Sequence, residues 1–175
     1  MGYRCLQKKP HLMRGVLAGV AGGLAASWVM NQFFVGLTKA TEAIQKQQGQ
    51  QHNQEQKEED STMKVADTLA STAIGRHLTQ EEKEIGGPIV HYAFGGLMGG
   101  VYGGLAEYSA ASRIGFGTVF GSTLYAGADG VVVPALRLSK PVTEQPLSNL
   151  ASHWVAHMVY GATVELVRCG IRQIW

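Results

Sequence analysis

Uncharged, largely apolar positions gather in four stretches, about residues 14–37, 86–106, 115–136 and 147–167, with polar connectors between them. Each stretch is near the roughly twenty residues that an α-helix needs to cross hydrocarbon. In the second, only His91 interrupts the uncharged run between Gly86 and Ala106. A four-residue beat runs through all of them: Gly15, Gly19, Gly23, Ser27 and Asn31; Gly87, His91, Gly95, Gly99, Gly103 and Glu107; Gly117, Gly121, Tyr125 and Asp129; Asn149, His153, His157, Gly161 and Glu165. Residues four apart share a helix face, and a stripe of small residues lets a second helix backbone approach closely in a bilayer. The pattern predicts an all-α polytopic membrane protein, a single domain over 1–175 with four transmembrane helices. Gly95, Gly99, Gly103, Gly117, Gly121 and Gly161 are its helix-packing positions.

The connector between the first two stretches changes character midway. Residues 45–60 are rich in Gln, Glu and Lys and read as a polar, flexible segment. Asp60 or Ser61 can cap a short amphipathic helix through Ala73, with Val65, Leu69 and Ala73 on the face turned to the bundle or the membrane surface. Thr79 and Glu82 fit a capping box for a second short helix ending at Gly86, Gly87 and Pro88.

The 23 glycines lie inside the apolar stretches, where they would weaken soluble helices, not in linkers. The first apolar run continues past Ala26 through Phe34 and Leu37, longer than a signal-peptide core, and reads as a retained span. Arg4, Lys8, Lys9, Arg14, Arg113, Arg168 and Arg172 outweigh Lys39, Arg137 and Lys140 near the span ends, which places both termini in the cytoplasm. Cys5 and Cys169 then share the reducing side and read as free thiols. A net charge of +2 without a basic patch gives no reason to expect nucleic acid. No dinucleotide fingerprint, phosphate loop or nucleophile elbow is present, so the chain reads as non-enzymatic.

Candidate chemistry lies in polar residues at membrane depth. Asp129 sits mid-stretch, and Pro134 deprives the Gly130 carbonyl of its helical donor, a local break like those that build ion sites in transporters. His153 and His157, one turn apart, present two imidazoles on one face. With His91 they form a candidate metal set, His91, Asp129, His153 and His157, suited to a transition metal. A proton relay and a plain hydrogen-bond cluster remain open beside that reading. Glu107 and Glu165 end their stretches beside Arg113 and Arg168 and predict interfacial ion pairs. Ser27 and Asn31 are expected to bond across helices.

The runs HYAFGGLMGGVYGGLAEY, GFGTVFGSTLYAGADGVVVPALRLSKP and HWVAHMVYGATVELVR resemble the YagU-like family of small bacterial inner-membrane proteins. The matching positions are His91, Tyr102, Gly103, Glu107, Asp129, Pro134, His157, Tyr160 and Glu165. The resemblance implies a bacterial inner membrane, with an acid-resistance link in one branch, and supplies no mechanism. Together these readings predict a multi-pass inner-membrane protein partnered by the lipid bilayer, acting as a structural or accessory subunit in a homo-oligomer or larger membrane complex. The alternatives are a small proton-coupled transporter or channel, or a metal-binding membrane protein, using Asp129 and His91, His153 and His157.

Overall fold

The computed structural model describes residues 9–47, 61–136, 138 and 142–175. It is all-helical, with five helices and no strand among the described residues. Helix α1 (Leu12–Gln47) packs on α3 (Gln80–Tyr108) and on α5 (Leu147–Ile174). Helix α5 also packs on α4 (Thr118–Gly127), and the short α2 (Ser61–Ile74) lies on α3. A π-turn at Ala128–Val132 carries α4 on to Val133–Ala135.

Glycine sets how closely the helices approach. A Cβ on Gly19 would lie 2.8 Å from the Gly103 Cα, and one on Gly15 2.6 Å from the Gly103 carbonyl oxygen. Gly23 would meet the Gly95 carbonyl and the Gly99 Cα. The α1 stripe therefore lies directly on Gly95, Gly99 and Gly103. Gly117, just before α4, and Gly121 within it lie against the α5 backbone at Gly161 and His157, and Gly22 of α1 against Val164. A small core of Ala26, Met30, Tyr102, Ala106, Ala156, Tyr160 and Val164 fills the space between the helices, edged by Phe33, Phe34, Phe120 and Leu124.

Several expected boundaries move. Helix α1 extends ten residues past the expected end at 37, and residues 48–60 of the polar segment lie outside the described residues. The capping box forms, with Glu82 N–H donating to the Thr79 hydroxyl and Thr79 N–H to the Glu82 carboxylate. The helix it starts does not stop at Pro88, however, but runs on to Tyr108. Proline removes only one helical hydrogen bond there, and α2 packs against Gly86 through Ala66 and Gly87 through Met63. That contact also corrects the expected face of α2: Ala66 is its buried residue, while Leu69 is exposed. Helix α4 begins at Thr118, three residues late, because Gly115, Phe116 and Gly117 all take left-handed backbone angles. Helix α5 runs two turns beyond 167.

Leu12–Ile44 is, by length and composition, a helix able to cross a membrane, and the only one among the described residues. Glycine, histidine and arginine dilute α3 and α5, and α4 has ten residues before its π-turn. Cys169 is disulfide-bonded, which corrects the expected free thiol; Cys5 lies outside the described residues.

Candidate functional site

Polar side chains concentrate at two levels of α5. The first level includes Glu165, Arg168 and Arg172, which share a face of that helix at i, i+3 and i+7. Arg168 grips Glu165 with Nε to Oε2 at 2.7 Å and Nη2 to Oε1 at 3.0 Å. Its Nη1 reaches Glu107 Oε1 on α3 at 3.2 Å. Arg172 holds Glu107 by two further bonds, Nε to Oε1 at 2.8 Å and Nη2 to Oε2 at 2.9 Å. The Tyr102 hydroxyl donates to Glu165 Oε2 at 3.0 Å, and the backbone N–H of His11 to Glu107 Oε2 at 3.0 Å. These groups are almost wholly buried, Arg168 at 1% exposure. Two carboxylates and two guanidiniums balance, each charge meeting an opposite one in forked geometry. The expected pairing of Glu165 with Arg168 is present, whereas Glu107 takes Arg168 and Arg172 in place of Arg113. The i+3, i+7 spacing on α5 was the available signal for Arg172. Tyr160 adds a tie from α5 to α3, its hydroxyl donating to the Gly95 carbonyl at 2.5 Å.

The second level gathers Asp129, His153 and His157. The π-turn, in which the Val133 N–H bonds to the Ala128 carbonyl five residues back, sets Asp129 just before Pro134. A missing proline N–H and the ring's clash with the preceding turn favour such a rearrangement, and π-turns are common at functional positions. Asp129 Oδ2 lies 3.6 Å from His153 Nδ1 and 3.9 Å from His157 Nε2. Both exceed hydrogen-bonding distance. Nδ1 of His157 is engaged with the His153 carbonyl at 2.9 Å, so that nitrogen carries a proton, and in the neutral ring Nε2 presents a lone pair to the carboxylate. A lone pair facing a carboxylate is unfavourable until a proton or another cation lies between them. The rings are fixed from outside: His153 lies against Phe34 of α1 at 4.9 Å between centroids, and His157 against Tyr125 of α4 at 5.5 Å. A cavity of about 70 Å³ opens beside Asp129, lined by Ser61, Tyr125, Val133, Gln145, Leu150 and His153.

His91 is half-buried on α3, its ring edge-on to Tyr92. It makes no pair with Asp129, whose carboxylate faces His153 and His157. Among the described residues no group of three or more His, Cys, Asp or Glu is arranged to hold a metal ion. The four expected ligands therefore divide into a trio around one carboxylate oxygen and a separate histidine. Ser27 departs from expectation as well: its hydroxyl is buried against Gly95 with no hydrogen-bond partner among the described residues, and Asn31 is exposed.

No curated protein and no solved structure matches the chain. A family model, described as "Protein of unknown function (DUF1440)", matches residues 53–166, which take in α2 to α4, the Asp129–His153–His157 group and both glutamates of the ion network. That match covers well over half of the 175 residues, and the chain belongs to the DUF1440 family, whose function is uncharacterised.

Proposed function

We propose that the chain is a four-span membrane protein of the YagU-like kind that works as a small proton-coupled carrier through Asp129, His153 and His157. The trio carries this reading: one carboxylate oxygen faces two imidazole nitrogens at distances too long to be satisfied and too short to be indifferent, beside a cavity. Protons move between groups of this kind with little rearrangement.

The outer surface supports the membrane part. Leu97, Val101 and Leu105 of α3, Val131, Val132 and Leu136 after the π-turn, and Trp154, Val155 and Leu166 of α5 are all exposed, as are Leu17, Leu24 and Trp28 of α1. Water tolerates so extensive an apolar sleeve poorly, and lipid favours it. The purely structural reading loses ground because the glycine stripes that suggested further partners are used within the chain. For orientation two observations diverge: Lys and Arg counts favour cytoplasmic termini, whereas the disulfide at Cys169 fits an oxidising compartment at that end.

The test is proton flux in proteoliposomes carrying an internal pH dye under an imposed gradient. Wild-type protein is expected to speed the decay of the gradient over empty vesicles, and Asp129→Asn to return it to the empty-vesicle rate. Equal rates for wild type and Asp129→Asn would remove the carrier reading.

A further inference from the structure

The cavity beside Asp129 has a chemistry of its own. Its polar lining comes from a carboxylate, an imidazole, a phenol, a hydroxyl and an amide, on Asp129, His153, Tyr125, Ser61 and Gln145. Among the described residues that line it there is a carboxylate and no Lys or Arg, and the field they set up favours a cation. The rest of the wall is Val133 and Leu150, which a bare metal ion would not use. A buried water needs roughly 10–15 Å³ of such space, so 70 Å³ has room for a few waters or for one molecule of a few heavy atoms.

From these features we infer that the cavity binds a small primary alkylammonium cation. Its –NH₃⁺ head would donate to Asp129 and to the neighbouring acceptors, and its one or two carbons would lie on Val133 and Leu150. Three donors on one nitrogen match a wall whose acceptors centre on the Asp129 carboxylate, and a single carboxylate balances a single positive charge. Among the described residues, His153 and His157 of α5 and Tyr125 of α4 are the titratable groups that face Asp129. The inference rests on the carrier reading for the use made of the ligand, but binding itself does not require transport.

Calorimetric titration of the detergent-purified full chain with ethylammonium chloride tests it, with sodium chloride and tetramethylammonium chloride at matched ionic strength as comparisons. Saturable uptake of one ethylammonium per chain is expected, weakened roughly tenfold to a hundredfold in Asp129→Asn, the scale of a lost hydrogen bond to a charged group. Leu150→Trp, which fills the cavity and leaves the carboxylate, should abolish uptake, and Glu144→Gln should leave it unchanged. Thermal melts show whether each variant is folded. No saturable heat with ethylammonium, equal binding of sodium, or full binding in Leu150→Trp would overturn the inference. Proton flux without ammonium binding would leave the carrier reading standing and remove this one; binding without flux would do the reverse.

Discussion

The two polar levels of α5 use similar residues to opposite ends. His153 and Arg168 are fifteen residues apart, about 22 Å along the helix axis. At the Arg168 level each carboxylate of the four-charge group meets a guanidinium within 3.2 Å, and the side chains are sealed from solvent. At the His153 level one carboxylate oxygen is shared by two imidazoles at 3.6 and 3.9 Å, and Asp129 remains about one-third exposed. The first arrangement is saturated, and any change to it leaves a charge without a counterpart. The second is open, so its protonation or occupancy can change without dismantling the bundle. The carrier reading assigns stability to the first level and exchange to the second.

The largest expected effect comes from breaking that division directly. Arg168→Met leaves Glu165 buried without its principal cation and should cost about 3–5 kcal/mol, the penalty for stranding one partner of a buried pair. Asp129→Asn should cost less than about 1 kcal/mol, as for partly exposed pairs. Reversible unfolding in mixed detergent micelles measures both, and equal losses would show that the two levels do not differ in kind.

Next in size is the glycine contact that brings the levels into register. A Cβ on Gly99 would lie 2.6 Å from the Gly23 Cα, so Gly99→Ala must push two backbones apart. A loss of about 1–3 kcal/mol is expected, as for overpacking elsewhere. Gly170→Ala has nothing within 4 Å of the new carbon and should be neutral or stabilising by up to about 1 kcal/mol. The same unfolding assay reads both, and a Gly99→Ala protein as stable as wild type would show that the close approach of α1 and α3 is not required.

The smallest effect concerns the exposed turn between α2 and α3. Hydrogen bonds from Arg76 and from the Thr79 backbone hold the Glu82 carboxyl down at about 2. Asp67 is lowered too, by the Leu78 backbone N–H and then by His77. A carboxylate whose folded pKa is depressed stabilises fully above its ordinary value near 4.5 and loses that contribution as pH falls toward about 2. Amide exchange at the start of α3 should therefore accelerate across that window, and Arg76→Ala should move the onset upward. An acid profile unchanged by Arg76→Ala would assign the effect to the capping box alone.

Much of this was legible in the chain. Four-residue spacing marked most of the glycines that meet a neighbouring backbone, Gly15, Gly19 and Gly23 of α1 and Gly95, Gly99 and Gly103 of α3 among them, because a helix projects i and i+4 onto one face wherever it packs, while Gly22, which lies on Val164, fell outside the beat. Asp129 beside Pro134 announced a broken helix, since proline lacks a donor in any context. The capping box at Thr79 and Glu82 was equally plain. Pro88 misled, because packing of α2 on Gly86 and Gly87 keeps that segment helical, a contact between elements that no local pattern encodes. Ser27 misled for a similar reason: its face was evident, but the partner opposite turned out to be glycine, which has no side chain to answer it.

By itself, then, the sequence determined which segments are helical, which faces are narrow enough for close approach, and which residues carry charge or imidazole at depth, because those follow from local geometry and residue chemistry. Tertiary structure decided the partners. It gave Glu107 to Arg172 instead of Arg113, drew His153 and His157 to Asp129, and left His91 outside that trio. Those choices depend on the rotation and height of each helix against the next, which arise from summed packing of glycine against backbone across elements far apart in the chain.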